Sequence, residues 1–304
     1  MGLYGRLYGV MNLIYSFERF HPFVTFLYYV SSITIFMLCI HPIFLIGGIV
    51  LIVCLNWIQD QFRALKNWRF FIVSTGLIIF IMNPLFNERG LHILFTIFDH
   101  RVTLEAVIYG AMNALSILGI TMIFVHYNEV MTPNKLLFLF SKTLPKFAVL
   151  LMLTLRFIPL MRRRLEEISS IQRSKGLSVG DGTWREKATN GLLYVQVLMT
   201  YSLEEAIQTA DSMKARGYGK ETRSTYNHFL FKRMDFIAVV ILVILLFTVG
   251  YGRYRGYGQL TIYPVMEKFL ISTEEVFLLV MYLIALSFPI LIRIGGFLWW
   301  RISK

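Results

Sequence analysis

The chain has 304 residues, of which 56% are hydrophobic and only 16% charged, and its mean hydropathy is +0.61. Soluble domains carry about a quarter charged residues and under about half apolar ones, so the composition excludes a disordered chain and does not suit a nucleic-acid binder. The formal net charge is nonetheless +12, which leaves a multi-pass membrane protein with a basic segment somewhere along it.

Residues 1–21 lack a contiguous apolar core and a small-residue cleavage site, so no secretory signal is read there. Arg6 stands where an N-myristoylation signal needs Ser or Thr. Six apolar stretches are candidate spans: Phe23–Ile40, Ile43–Ile58, Phe70–Phe86, Leu104–Phe124, Phe236–Gly250 and Val276–Leu298. A span needs about 20 apolar residues, so the second and fifth must borrow flanking residues or sit in a thinned bilayer. Only His41-Pro42 joins the first two, which predicts a tight helical hairpin. No run alternates with a period of two, which argues against a β-barrel. Cys39 and Cys54 lie inside apolar runs and read as small buried hydrophobes, without a disulfide or metal site. Gly110, Ala111, Ala114 and Gly119 give the fourth span a small-residue surface, for packing within the chain or against a separate subunit.

With the N-terminus in the cytoplasm and six spans threaded, twenty-four of the 30 Lys and Arg residues fall inside and five outside. Discounting the long central segment leaves seven against five, and Trp57, Trp68, Trp299 and Trp300 then fall at the inner interface. Both termini are expected inside. Arg293, within the last span near Trp299, is expected to snorkel to the inner surface.

The central segment, 127–233, holds seventeen basic and nine acidic residues and so carries +8 of the charge. The expected organisation is spans one to four over 1–126, a cytoplasmic helical domain over 127–233, and spans five and six over 234–304. Thr132-Pro133 predicts a short helix through Phe140. Pro145 opens a long helix over Lys146 to about Arg173, apolar in its first half, charged in its second and bent near Pro159. Arg162-Arg163-Arg164 reads as attraction to the anionic inner leaflet or to acidic patches on a partner. Gly176, Gly180 and Gly182 break the chain before a second long helix, about Trp184 to Arg216. Leu192, Val195, Met199, Leu203, Ala206, Ala210, Met213 and Gly217 recur along it as one stripe.

The two helices finish alike, on Ser174-Lys175-Gly176 and Ala215-Arg216-Gly217, with the basic residues 41 positions apart. Glycine supplies the left-handed position that stops a helix, and the cation faces the negative end of the helix dipole. Such an ending is common on any single helix; the matched pair is the more specific feature.

That pair resembles the two Ala-Arg-Gly-type motifs of the EcfT (CbiQ-like) proteins, transmembrane subunits of energy-coupling factor ABC transporters. Leu155-Arg156-Phe157-Ile158-Pro159 and Ala210-Asp211-Ser212-Met213-Lys214-Ala215-Arg216-Gly217-Tyr218-Gly219 add to the likeness, which is specific from about Pro133 to Gly219. It implies an all-α polytopic membrane protein whose two long helices dock into a pair of cytoplasmic ABC ATPase subunits. Lys175 and Arg216 would make the contacts, flanked by Ser174, Gly176, Ala215 and Gly217, on helices carrying Arg156, Pro159, Arg173 and Asp211. It further implies a membrane-embedded substrate-binding S component and uptake of a vitamin or transition metal across a bacterial or archaeal plasma membrane. Lys175 departs from the usual Arg; it keeps the charge but loses the bidentate fork.

No phosphate loop is present, since Gly219-Lys220 lacks the upstream glycine. The histidines His21, His41, His92, His100, His126 and His228 show no i,i+4 pairing and read as interfacial or loop residues, so no metal is expected. No Asp or Glu lies deep in a span; Glu105 and Asp235 sit at edges. Neither catalytic residues nor a cofactor are expected; the partners are the ATPases, the S component and lipid, not nucleic acid. A rival reading is a multi-pass enzyme acting on lipid headgroups through the basic segment. A self-sufficient carrier is disfavoured, with no buried ion relay and no inverted repeat.

Overall fold

The computed structural model describes residues 17, 20–60, 62–97, 100–141, 143–219, 229–263 and 270–302. The expectations for Arg6, Arg19, Lys220, His228 and Lys304, and for the side chains of His100, Trp299 and Trp300, lie outside the described residues. The elements in chain order are α1 (Pro22–Leu38), α2 (Pro42–Asp60), α3 (Arg63–Phe86), β1 (Ile93–Ile97), β2 (His100–Thr103), α4 (Leu104–Val130), α5 (Pro133–Ser141), α6 (Pro145–Ser174), α7 (Trp184–Ala215), α8 (Arg233–Tyr254) and α9 (Thr273–Ile302). The fold is all-α and polytopic. Among the described residues five helices, α2, α3, α4, α8 and α9, are long and apolar enough to cross a membrane. The apolar α1 has 17 residues and reaches about 25 Å, at the lower limit of what crosses a hydrocarbon core of about 30 Å.

Four helices, α1, α2, α5 and α6, begin on proline. Proline's fixed φ suits the first helical position, where its missing N–H costs nothing. The α1–α2 hairpin turns in three residues, 39–41. The starts of α4, α7, α8 and α9 are held by side chains. Asp235 accepts from the Lys232 N–H at 2.7 Å and from the His21 N–H at 3.1 Å, tying the start of α8 to that of α1.

Two compact units emerge, one from residues 1–136 with 229–304 and one from 137–228. The core of the first unit is built on α1, with Phe36, Phe44, Tyr282 and Leu286 fully buried. Glycine sets the closest approach. A Cβ on Gly119 would collide with the Phe36 ring, and one on Gly110 would lie 3.2 Å from the Phe80 carbonyl of α3. The small-residue face of α4 thus serves packing within the chain at these two positions. Buried polar groups pair across helices: Tyr28 Oη donates to the Leu286 carbonyl at 2.9 Å, and Tyr29 Oη lies 2.6 Å from His126 Nδ1. His126, expected as an interfacial or loop residue, is buried near the end of α4, where a tyrosine hydroxyl satisfies it.

Three further features add to the sequence reading. An antiparallel hairpin, β1–β2, links α3 to α4, with Ile93 opposite Thr103 and Ile97 opposite His100. Glu105, buried at the first turn of α4, holds that link by accepting from the Leu91 and His92 N–H groups at 3.2 Å and meeting His92 Nδ1 at 2.7 Å. Arg293 donates to the Ile58 carbonyl at 2.9 Å, so its guanidinium meets the last turn of α2.

In the second unit α6 and α7 pack as an antiparallel pair. Ser202 Oγ lies 3.0 Å from Met161 Sδ, the Arg164 guanidinium lies 5.8 Å from the Tyr201 ring centre, and Tyr194 Oη donates to the Leu177 carbonyl at 2.5 Å. The face of α7 turned to α6 runs through Tyr194, Leu198 and Ser202. The apolar stripe Leu192, Val195, Met199, Leu203 lies on another face and is exposed.

Candidate functional site

Both long helices stop by the same mechanism. Lys175 caps α6 at φ −91°, ψ 6°, and Gly176 follows at φ +80°. The Gly176 N–H donates to the Arg173 carbonyl at 3.0 Å and the Leu177 N–H to the Gln172 carbonyl at 2.9 Å. Arg216 caps α7 at φ −81°, ψ 5°, with Gly217 at φ +78°. There the Gly217 N–H donates to Lys214 O at 2.9 Å and the Tyr218 N–H to Met213 O at 3.0 Å. This paired back-bonding is the Schellman motif, which satisfies two of the carbonyls a helix end leaves open. The remaining carbonyls keep the dipole's partial negative charge, against which each cation sits.

A Cβ on Gly176 or Gly217 would meet nothing within 4 Å. Backbone conformation, not crowding, is what demands glycine at both ends. Ser174, Lys175, Gly176, Ala215 and Arg216 are exposed and Gly217 half-buried. Lys175 and Arg216 are not brought together. Tyr194 is bonded beside the first end, and Arg216 lies twenty-two residues further along α7, about 33 Å at 1.5 Å per residue. Arg156 and Pro159 are exposed in the middle of α6 and reach neither end; Arg173 and Asp211 are exposed near the ends. The helix continues through Pro159. Arg162 and Arg164 pair with Glu166 at 3.4 Å and Glu167 at 2.9 Å, so part of the triplet's charge is met on its own helix.

Each end carries a second cation two residues before its cap, Arg173 and Lys214. Other residues that shape the site escaped the sequence reading. Thr183 and Glu186 form a reciprocal capping box at the start of α7, signalled by the Thr-x-x-Glu spacing. Glu186 is held below the usual carboxylate range by its hydrogen bonds to Thr183. Tyr194, which fastens the turn after Gly176, had no local signal. Among the described residues no group of three or more His, Cys, Asp or Glu side chains is placed to hold a metal ion.

A family model named CbiQ, described as cobalt transport protein, matches residues 17–226. The chain is 26% identical over 204 residues to an energy-coupling factor transporter transmembrane protein EcfT of Lactobacillus helveticus, covering 62% of this chain and 72% of that one. It is 23% identical over 199 residues to the EcfT of Staphylococcus aureus, covering 60% and 72%. An EcfT of Streptococcus equi is 29% identical over 101 residues, 33% of this chain and 38% of its own length, so that match spans well under half of the relative. The family match covers more than half of the chain and includes both helix ends, and the chain belongs to the EcfT/CbiQ family of multi-pass membrane transport proteins.

Proposed function

We propose that this protein is the non-catalytic transmembrane coupling subunit of an energy-coupling-factor-type ABC importer. The observation that carries the reading is the matched pair of Schellman ends, each stopping a long helix and each presenting exposed cations, Lys175 with Arg173 and Arg216 with Lys214. A helix end of this kind is a fixed cationic point suited to an acidic groove on a partner. Their separation along the pair favours two docking points over one composite site, hence two cytoplasmic ABC ATPase subunits.

In this reading residues 127–233 lie in the cytoplasm, both termini are inside, and 1–126 and 234–304 supply the spans. ATP binding and hydrolysis in the partners displace Lys175 and Arg216, and the α6–α7 pair carries that displacement to a membrane-embedded substrate-binding subunit. The exposed stripe Leu192, Val195, Met199, Leu203 supports such docking, since a large apolar helix face left open marks an interaction or lipid-facing surface. The cargo belongs to that subunit; a vitamin or a transition metal is the class the family likeness points to.

The test is Lys175→Glu combined with Arg216→Glu in the membrane-purified complex. Loss of the ATPases with the spans still folded is the expected result; full ATPase content with undiminished transport would sink the proposal. Lys175→Arg restores a bidentate donor and is expected to slow ATPase dissociation.

A further inference from the structure

Helices α7 and α8 end on the same tetrapeptide, Arg216-Gly217-Tyr218-Gly219 and Arg255-Gly256-Tyr257-Gly258. Their backbones match as their letters do. Arg255 caps α8 at φ −74°, ψ −3°, as Arg216 caps α7. The glycines stand at φ +78° and +92° in one copy and +93° and +75° in the other. The Gly256 N–H returns to Arg253 O at 3.0 Å and the Tyr257 N–H to Gly252 O at 3.1 Å, the pattern of Gly217 and Tyr218. Matching loops place the tyrosine Cβ and the second glycine's N–H alike.

The α8 copy shows what such a loop engages. Tyr257 lines the same cavity as Glu274, and the Gly258 N–H lies 3.4 Å from Glu275 Oε1. Glu274 and Glu275 occupy the first turn of α9, where Glu275 also accepts from the Ser272 N–H at 2.9 Å. Arg255, Tyr257 and Glu274 line one cavity of about 400 Å³. One helix end made of donors is thus seated on a helix start made of acceptors.

We infer that the α7 copy takes a partner in the same way. Arg216, Tyr218 and the Gly219 N–H together receive the N-terminus of a partner helix that carries adjacent carboxylates in its first turn. The inference rests on the coupling reading, which puts an ATPase at this end, and goes beyond it by naming Tyr218 and Gly219 as contacts and an acidic helix start as their acceptor. Charge favours it, since Lys214 adds a second cation beside Arg216. The α6 end is built otherwise. Gly176 is followed by Leu177-Ser178 with no second glycine, and the Leu177 carbonyl is taken by Tyr194. The two ends are chemically distinct docking points.

The experiment uses the whole complex purified with its ATPases. Tyr218→Phe removes one hydroxyl and keeps the ring, the helix and the charge. Losing a hydrogen bond to a carboxylate is expected to speed ATPase dissociation roughly tenfold or more. A photo-crosslinking residue at position 218 is expected to attach to the first turn of an ATPase helix with adjacent Asp or Glu. Tyr257→Phe is expected to lower the melting temperature without changing dissociation, and a complex indifferent to it would remove the template. An unchanged rate for Tyr218→Phe, or crosslinking only to lipid or to a segment without paired carboxylates, overturns the inference. If Arg216→Glu still releases the ATPases in that case, the coupling reading survives. A wild-type chain that purifies without any ATPase overturns both.

Discussion

Gly217 and Gly119 are both required, for opposite reasons. At Gly217 the surroundings are empty and the backbone stands at φ +78°, so Gly217→Ala should cost about 1–2 kcal/mol through conformation alone. Asparagine, which tolerates that region, should cost less. The damage should stay local, read as faster amide exchange at positions 217 and 218 with the melting temperature little changed. Gly119→Ala drives a methyl into the Phe36 ring in the core, and overpacking of that kind costs about 1–3 kcal/mol. Its effect should appear in the melting temperature of the first unit. At the ends of α6 and α7 the sequence was legible to the residue, because Lys-Gly and Arg-Gly report a backbone angle that needs no tertiary context. Nothing local marks Gly119 as touching α1, since that contact depends on which helices pair.

At the scale of the element, α7 shows where periodicity stops being informative. The spacing of Leu192, Val195, Met199 and Leu203 identifies one face, but not what covers it. The neighbouring face, with Tyr194 and Ser202, meets α6 through a phenol–carbonyl and a hydroxyl–sulfur contact. Such contacts have no signature in a hydropathy pattern. For the same reason α3 begins at Arg63, ahead of the apolar run from Phe70, because a polar turn can be helical without looking like a span. The β1–β2 hairpin hid in a short apolar link. The start of α7 gives a pH prediction. Glu186 has its carboxyl lowered from 4.5 by Thr183 in the folded state. Its contribution is therefore present above that ordinary value and lost as pH falls through the lower folded one. Acidification should fray the first turn of α7, seen as faster exchange of the Glu186 amide. Glu186→Gln should abolish that pH dependence and leave the neutral-pH helix largely in place.

For the whole molecule, charge and apolarity are segregated by residue number. The segment 127–233 carries +8 of the +12, and the helices long enough to span lie on either side of it in sequence. Composition and the count of basic residues made that division legible. The distance between Lys175 and Arg216 was not legible, because it follows from the antiparallel pairing of α6 and α7. If the two ends act as charged docking points, ATPase association should weaken with ionic strength. Raising salt from about 0.1 M to about 1 M shortens the screening length from about 10 Å to about 3 Å. Dissociation should accelerate over that range in the wild type and change less in Arg216→Gln, as followed by surface-captured complex. A salt-independent rate would place the binding energy in apolar contacts instead.

Pro159 gives the α6–α7 pair a mechanical character. Without its N–H, the Leu155 carbonyl loses its helical donor, so α6 has one rung missing from its ladder in mid-length. Two residues on, Met161 packs against Ser202 of α7, its sulfur 3.0 Å from the hydroxyl. The missing rung is therefore splinted by the neighbouring helix, as a cracked beam is by a plate. A lever of about 33 Å that tilts by about ten degrees moves its far end by about 6 Å, provided it does not give way at its weakest section. Stiffness here is a property of the pair rather than of either helix.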